Sequence, residues 1–366
     1  MERTITADPG VDVVRMHEGR AVLEARPDHA WESRVVLNPA AVLVEAGAKL
    51  DVLFGNWNLS TEDREHLRSE GGTVVMLYRA QGEVGPDIQH AASSLGLAIL
   101  TPSLELVKRW GEPVLKPTAP FHNLGVEDPR CTRIGDTYYL YYTGYSNLDP
   151  EDPTSERQVR ICLATTEDFL HWNLRGPVEG DVNNVDNKNA AVLPDSVSGK
   201  WLLLHRPMEG PDAMAIHLAE AQDPAGPWHS RGMIMASYRY REFETSWVGA
   251  GGPPIPVGND RYAMIYHQGH FTSGGSREYD LSAALLDCRA EQIVEARIEP
   301  LMRPSTPQER LGDSDLGVNN VVFTCANYRW KDQLIIPYAG ADSCILGASV
   351  ALDELVAALE QSIEIR

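Results

Sequence analysis

The stretch Gly135-Asp136-Thr137-Tyr138-Tyr139-Leu140-Tyr141-Tyr142-Thr143 joins a turn to an aromatic, apolar run, and four other stretches of the chain repeat this pattern. In each copy the run ends with a tyrosine or histidine that is followed by a small or polar residue. These tyrosines and histidines stand at positions 78, 142, 205, 266 and 338, with separations of 64, 63, 61 and 72 residues. Such near-constant spacing indicates a repeat architecture. The other copies span residues 72–79, 199–206, 259–267 and 331–339.

Each run is preceded by a second strand candidate that begins with small or polar residues. A Gly, Asp or Asn turn separates the two candidates, which is typical of a β-hairpin. With weaker strands such as residues 159–164 and 280–285, each unit provides about four strands, as one propeller blade does. Five units predict an all-β fold, a five-bladed β-propeller, against the alternative of a β-sandwich with unrelated hairpins. The first strands begin near residues 38, 127, 188, 251 and 319.

Two segments depart from the strand pattern. Residues 59–68 combine capping residues with acidic helix formers and predict a short inserted helix. Residues 352–360 predict a C-terminal helix. Since the composition does not shift along the chain, residues 1–366 are expected to form a single propeller domain with an insertion at about residues 47–72.

The chain is strongly acidic, because 32 Lys and Arg against 52 Asp and Glu give 32 − 52 = −20. Nucleic acids and anionic membranes attract basic faces, so both are disfavoured as partners. No apolar run reaches the roughly 18 residues of a membrane helix, and the N-terminus lacks the layout of a signal peptide. The five cysteines form no C-x-x-C pair, which favours free thiols over a zinc site and predicts a cytoplasmic location.

A propeller brings the starts of its first strands and the ends of its second strands to one end of a central channel. Polar residues at these places are remote in sequence but become candidates for one site. Acids and cations in one pocket suit acid–base chemistry on sugars. The candidates are Asn38, Glu127, Asp128, Lys188, Asn189 and Asn320 at strand starts, and Arg79, Arg206 and His267 at strand ends.

The sharpest motif is the acid pair Glu127-Asp128, which stands before Pro129. A residue before proline prefers extended backbone. Alternation along an extended strand would point one acid inward and the other toward a neighbouring blade. On these residues alone, a plain Asp-Pro turn is the alternative.

Several motifs occur together in a fixed order over about residues 36–356. One reads Gly125-Val126-Glu127-Asp128-Pro129-Arg130. The others lie at residues 186–194, 205–207, 249–255, 266–269, 319–323 and 338–342. In these motifs the chain resembles glycoside hydrolase family 130, which contains β-mannoside phosphorylases and β-1,2-mannosidases on a five-bladed propeller.

The resemblance implies a role for each matching position. Asp128 takes the place of the family's general acid, whose proton is thought to reach the glycosidic oxygen through a substrate hydroxyl. Asp342 matches the aspartate that holds the non-reducing mannosyl unit, and Asn38 and Arg79 match residues of the same subsite. The other substrate-binding positions are Glu127 and, around the nucleophile and the bound sugars, Lys188, Asn189, Arg206 and His267.

One departure from the family pattern concerns the nucleophile. Phosphorylases of the family typically place a lysine shortly before the Gly-Ala-Gly stretch, where this chain has Trp247, so phosphate would lose one charged partner. The family's hydrolases use a glutamate near this point as general base, and Glu244 is a better candidate than Glu242. We therefore expect an inverting β-1,2-mannosidase with Asp128 and Glu244 as catalytic residues. The alternatives are a β-1,2- or β-1,4-mannoside phosphorylase, a non-catalytic sugar-binding propeller and a glycosidase acting on arabinofuranosides.

The resemblance implies neither a metal nor a cofactor. The partners that it implies are an oligosaccharide substrate, and inorganic phosphate as co-substrate in a phosphorylase; a homo-oligomer is compatible with it. The insertion at residues 47–72 is a second departure, because family members usually join these strands by a short turn. It is expected to be a lid or rim that narrows the acceptor subsite, an oligomer contact, or a plain surface loop.

Overall fold

Five antiparallel sheets form the fold. The protein is described by a computed structural model over residues 10–82, 92–149, 151–152, 154–237, 246–272 and 274–364. Each sheet contains the hairpin of one repeat followed by two further strands. The inner strands of successive sheets contact each other, and those of the last sheet return to the first, so the sheets form a ring. The prediction of an all-β, five-bladed propeller is confirmed.

The blades follow each other along the chain, and the strands of a blade run from the centre outward. The first strand of the chain, β1 (Val14–Arg15), belongs to the last blade. Blade 1 contains β2 (Val35–Glu45), β3 (Gly72–Gln81), β4 (Ser94–Leu100) and β5 (Leu106–Arg109). Blade 2 contains β6 (Gly125–Ile134), β7 (Thr137–Asn147), β8 (Arg157–Thr166) and β9 (Asn173–Pro177). Blade 3 contains β10 (Asn187–Val192), β11 (Trp201–Pro207), β12 (Ile216–Ala221) and β13 (His229–Met235).

The last two blades have divided inner strands. Blade 4 contains β14 (Trp247–Ala250) and β15 (Ile255–Gly258), then β16 (Arg261–Phe271), β17 (Arg277–Asp287) and β18 (Val294–Met302). Blade 5 contains β19 (Val322–Phe323) and β20 (Tyr328–Trp330), then β21 (Gln333–Gly340) and β22 (Cys344–Ala351). Its outermost strand is β1, which pairs with β22, so the N-terminal part of the described chain closes the ring.

The inner strands share a bulge near their first residues. The register of β2, β6 and β10 against their partners is interrupted at residues 38–39, 128–129 and 189–190. Asn38, Asp128, Asn189 and Asn320 have φ values of 47°, 48°, 57° and 57°, a left-handed conformation that asparagine and aspartate tolerate better than most residues. The prediction of extended backbone at Asp128 is therefore wrong, because the bulge overrides the preference set by Pro129.

The five repeat positions are buried hydrogen-bonding anchors. The hydroxyl groups of Tyr78, Tyr266 and Tyr338 donate to Glu32, Glu299 and Glu309, three buried acids that also pair with arginines. Tyr142 bonds His122 Nδ1 at 3.0 Å, and His205 bonds Asn187 at 2.9 Å. In each blade, the tyrosine or histidine of the repeat therefore forms a buried hydrogen bond between the second strand and a neighbouring segment.

The insertion in blade 1 forms two helices, α1 (Ala48–Trp57) and α2 (Thr61–Ser69). The second was predicted; the first was not, although its buried residues Leu50, Leu53, Phe54 and Trp57 have the i, i+3, i+4, i+7 spacing of a helix. Both lie between Glu45 and Gly72, which pair at the opposite end of the hairpin from Leu37 and Arg79.

Side-chain contacts show what the insertion does. Trp57 is buried, and its Nε1 donates to the Asp168 carbonyl of blade 2 at 2.9 Å. Its ring lies 6.4 Å from that of Phe169. The insertion therefore fastens blade 1 to blade 2 at the end remote from Asn38, and the expectation of a rim at the acceptor subsite is wrong.

The remaining helices are α3 (Pro307–Arg310) and α4 (Leu352–Glu364), of which α4 confirms the predicted C-terminal helix. All five cysteines are free thiols. In the described part of the chain, no helix is long and apolar enough to cross a membrane.

Candidate active site

One cavity of about 150 Å³ collects the predicted residues at the end of the ring where the inner strands begin. All five blades contribute, because bulged strand starts and hairpin ends meet there. The lining residues are Asn38, Arg79, Asp128, Lys188, Asn189, Arg206, His267, Arg277, Tyr279, Val321, Phe323 and Asp342.

Eight of the ten predicted site residues line this cavity. Of the other two, Glu127 lies behind it as a partner of Arg79. Glu244 falls outside the described residues. Asn320, also a candidate, is absent from the lining, where its neighbour Val321 stands.

Asp128 is 5% exposed and held through one of its two oxygens. Asn38 Nδ2 donates to Oδ1 at 2.7 Å, and Arg79 Nη1 donates to the same atom at 3.2 Å. Across the described ranges, no hydrogen-bond donor reaches Oδ2. Oδ2 is therefore the atom on which Asp128 can carry a transferable proton.

Both acids of the Glu127-Asp128 pair face Arg79. Its Nη2 donates to Glu127 Oε1 at 2.7 Å while its Nη1 binds Asp128. Ser93 Oγ accepts from Arg79 Nε at 2.8 Å and completes the set. Asp128 lines the central cavity while Glu127 reaches Arg79 and Ser93 next to blade 1, so the prediction of one inward acid and one directed to a neighbouring blade is confirmed.

The two carboxyl groups of the cavity have displaced pKa values. Burial alone would raise the pKa of Asp128, but the charges of Arg79, Lys188 and Arg130 outweigh it and lower the value to about 2. Burial raises the pKa of Asp342 to about 6, and the charge of Arg79 offsets only part of that rise. Asp128 is therefore ionised at neutral pH, and Asp342 takes up a proton first as the pH falls.

A buried arginine organises the floor of the cavity. Arg130 donates to the backbone carbonyls of Asp128, Ala250 and Gly251 at 2.9–3.0 Å, which joins blades 2 and 4. It also donates to Asn189 Oδ1 at 3.2 Å, so the Asn189 amide nitrogen faces His267.

His267 is neutral in this arrangement. Its Nε2 accepts from Asn189 Nδ2 at 3.3 Å, so its proton belongs on Nδ1. Burial and the charge of Arg206 hold the pKa of His267 well below the ordinary value. A Cβ at Gly249 would lie 2.2 Å from Asn189 Nδ2 and 2.5 Å from His267 Nε2, so glycine is required at that point of the Gly-Ala-Gly motif.

Lys188 and Arg206 line the cavity without forming a salt bridge to any carboxylate of the described residues. Arg206 reaches only His267 Nε2, at 3.5 Å. Burial and the adjacent Arg206 lower the pKa of Lys188 to about 8, and burial lowers that of Arg206 to about 10. Two neighbouring cations that form no salt bridge with the described carboxylates, one half-buried and one buried, are suited to bind an anion.

Unpartnered buried polar atoms also mark this cavity. Asn38 Oδ1, Arg206 Nε and His267 Nδ1 have no hydrogen-bond partner within the part of the chain that the structure describes. Buried polar groups are normally paired, so these three atoms are available to form hydrogen bonds with a polar ligand in the cavity. The same residues offer no metal set, since the described ranges contain no group of three His, Cys, Asp or Glu side chains suited to a metal ion.

Two polar residues that line the cavity escaped sequence reasoning, Arg277 and Tyr279 at the start of β17. The sequence prediction considered only the starts of first strands and the ends of second strands. Arg277 pairs with Phe271, near the end of a second strand, so the third strand begins at the same edge. The hairpin register of blade 4 would have been the signal.

Several known proteins similar to this chain are mannoside phosphorylases by name. A 1,2-beta-oligomannan phosphorylase from Thermoanaerobacter sp. (strain X514) is 28% identical over 89% of this chain and 93% of its own length. A beta-1,2-mannobiose phosphorylase from the same organism is 30% identical over 92% of this chain and 96% of its own. The solved structure of beta-1,2-mannobiose phosphorylase from Listeria innocua, in complex with β-1,2-mannobiose, has a TM-score of 0.71 and 21% identity, over 96% of this chain and 99% of that chain. At that identity the structural likeness supports the fold.

A family model also matches most of the chain. It covers residues 61–361 and is described as beta-1,4-mannooligosaccharide phosphorylase. This match and the 30% identical relative each span more than two thirds of the sequence. The chain therefore belongs to glycoside hydrolase family 130.

Proposed function

We propose that the protein is an inverting β-1,2-mannoside phosphorylase, which cleaves a β-1,2-linked mannooligosaccharide with inorganic phosphate. The observation that supports this most is the pair of cations Lys188, which is half-buried, and Arg206, which is buried; neither forms a salt bridge with a carboxylate of the described residues, and both line the same cavity as Asp128. A neutral sugar and a water molecule do not compensate two cations, whereas a phosphate dianion does.

The charge balance of the whole cavity agrees with an anionic ligand. Its lining carries Arg79, Lys188, Arg206 and Arg277 against Asp128 and Asp342, which gives 4 − 2 = +2 when all are ionised. The complete chain carries −20. Because the rest of the protein is acidic, a positively charged cavity attracts phosphate selectively.

The reaction then needs one acid from the protein. Phosphate, held by Lys188 and Arg206, attacks the anomeric carbon on the face opposite to the leaving group, and the C–O bond to the leaving sugar breaks. Asp128 supplies the proton that the leaving oxygen gains. A β-linked mannoside thus gives α-mannose 1-phosphate and a sugar shortened by one unit, without a protein base.

In this mechanism, phosphate binding also raises the pKa of Asp128, so that its carboxyl group can hold the proton it donates. The pKa of Asp128 is held near 2 by surrounding cations that outweigh its burial. A phosphate dianion beside Lys188 and Arg206 offsets part of that positive charge, so burial prevails and the pKa of Asp128 rises toward the working range.

Hydrolysis, which the sequence favoured, is the second candidate. One observation favours it: Trp247 occupies the place of a phosphate-binding lysine and is buried, 6% exposed. Its proposed base, Glu244, lies outside the described residues, so that role stays a prediction. The β-1,2 linkage is proposed from the two Thermoanaerobacter relatives, while the name of the family model points to β-1,4-mannooligosaccharides.

Product analysis separates these candidates. The enzyme is incubated with β-1,2- and β-1,4-mannobiose, each with and without inorganic phosphate, and the products are identified. Mannose 1-phosphate formed from the β-1,2 sugar only when phosphate is present is the expected result. Free mannose at equal rates in both conditions would establish hydrolysis, and turnover of the β-1,4 sugar alone would overturn the proposed linkage.

A further inference from the structure

Arg277 is a further cation on the wall of the cavity. It begins β17 and pairs with Phe271 of β16, so the blade 4 hairpin carries it to the cavity that Lys188 and Arg206 also line. Within the described ranges, Arg277 forms no hydrogen bond and no salt bridge, and it is exposed toward solvent. Its charge contributes to the titration of both Asp342 and Tyr279, so it stands close to the groups of the cavity.

Two aromatic rings hold the guanidinium in place. Its central carbon lies 5.9 Å from the ring centroid of Trp247 and 5.7 Å from that of Phe271. Stacking on aromatic rings occupies the face of a guanidinium and leaves the N–H donors at its edge available. A planar fork with free donors suits two oxygens of one phosphate.

Trp247 positions the Arg277 guanidinium and is itself held by neighbouring aromatic rings. Its ring packs edge-on against Phe271 at 5.5 Å and Tyr279 at 5.4 Å. Opposite Trp247 in the register stands Gly269, where a Cβ would lie 2.2 Å from the indole ring. The indole of Trp247 therefore fits only because residue 269 is glycine. Trp247 stands where family phosphorylases have a lysine, and its ring is also the surface on which the Arg277 guanidinium stacks.

We infer that Arg277, stacked on Trp247 and Phe271, binds the phosphate co-substrate and replaces the cation that Trp247 displaces. The inference rests on the proposed phosphorylase function and names a further residue of that same site. In this arrangement the positive charge that family phosphorylases place on a lysine of β14 is carried by Arg277 of β17. The number of cations around the phosphate is then unchanged.

The test measures KM for phosphate and, separately, KM for β-1,2-mannobiose in four variants of the full chain. Arg277→Gln should raise KM for phosphate by about tenfold to a hundredfold, the usual effect of one charge-assisted hydrogen bond, and leave KM for mannobiose within about twofold. Arg277→Lys keeps the charge but loses the fork, so its KM for phosphate should fall between those of the wild type and Arg277→Gln. Arg175→Gln, an exposed arginine of β9 outside the cavity, is the matched control and should change neither constant.

A double variant tests whether a lysine at position 247 can take over the role of Arg277. Trp247→Lys combined with Arg277→Gln should recover part of the lost phosphate affinity, because a lysine at 247 returns the cation to its other place. Unchanged KM for phosphate in Arg277→Gln would overturn the inference whether or not the double variant folds.

Failure of the proposed function has a different signature. If the wild type releases no mannose 1-phosphate, calorimetric titration of inorganic phosphate into the wild type and Arg277→Gln still decides the role of Arg277. Binding to the wild type that weakens in the variant supports an anion site, and equal or absent binding in both overturns it.

Discussion

Asp128 carries its charge in a cavity where cations outnumber acids. Asn38 and Arg79 both donate to Oδ1, and Arg130 holds the backbone carbonyl of the same residue. These contacts fix the carboxyl group and leave Oδ2 for the substrate. The left-handed backbone of the bulge, rather than the side chain alone, makes this placement.

Replacing Asp128 by asparagine tests its role as general acid. Asp128→Asn keeps the shape of the side chain and removes the acidic proton, so kcat should fall by about a hundredfold to ten-thousandfold. The variant should keep the circular dichroism spectrum of the wild type, although loss of a carboxylate whose pKa is lowered to about 2 by cations should reduce thermal stability. Asp136→Asn, at the exposed turn of the same blade 2 hairpin, is the control. A rate near that of the wild type would exclude Asp128 as the acid.

Lys188 gives the site a predicted pH dependence. Burial lowers its pKa to about 8, so the side chain is charged below that pH and neutral above it. The kcat/KM for phosphate should therefore decline above pH 8, by up to about tenfold per pH unit.

The variant Lys188→Arg should remove that decline, because a guanidinium stays charged across this range. Initial rates over a pH series at limiting phosphate provide the measurement. The same decline in wild type and variant would show that another group titrates.

At the scale of elements, the helical insertion has a structural purpose. Trp57 and Phe54 are buried between blades 1 and 2, and Lys108 donates to the Trp57 carbonyl at 2.8 Å. The insertion occupies the end of the ring opposite to the cavity. It therefore stabilises the junction of two blades and does not contact substrate.

Removing the indole of Trp57 separates stability from activity. Trp57→Ala should lower the free energy of unfolding by about 3–5 kcal/mol, the usual cost of a large cavity in a core. The kcat/KM for the mannoside should remain that of the wild type. Val52→Ala, at an exposed position of α1, serves as control for both measurements. An altered preference for substrate length in Trp57→Ala would contradict the structural role.

The whole molecule depends on closure of the ring at β1. Arg15 Nε donates to Glu309 Oε1 at 2.7 Å, and the Glu309 side chain is fully buried. Glu309 also accepts from the Tyr338 hydroxyl at 2.7 Å, so one acid connects the closing strand to blade 5. Opening at this point would expose the edges of blades 1 and 5 together.

Loss of the Arg15 side chain tests this closure. Arg15→Ala should destabilise the protein by about 3 kcal/mol, the low end for a broken buried ion pair, since Glu309 keeps other donors. Chemical denaturation of the wild type and the variant measures the difference. Arg20→Ala, an exposed neighbour that donates only to a backbone carbonyl, should have little effect. Equal stability of Arg15→Ala and the wild type would remove this contact as the closing tie.

The sequence by itself determined the fold, because each repeat carries its own hairpin signal and its own buried tyrosine or histidine. It also identified seven residues of the cavity, since strand starts and strand ends converge in any propeller, and the family resemblance added Asp342. These properties are local and periodic, so they can be recognised in the sequence without knowing which distant residues come into contact.

Only the tertiary structure decided the rest. The direction of Asp128 depends on a bulge, and the place of the insertion depends on contacts with another blade. Arg277 joined the site because β16 and β17 pair in one register and because Trp247 supports its guanidinium. Such features arise from contacts between residues distant in sequence, and a reading of local pattern does not contain them.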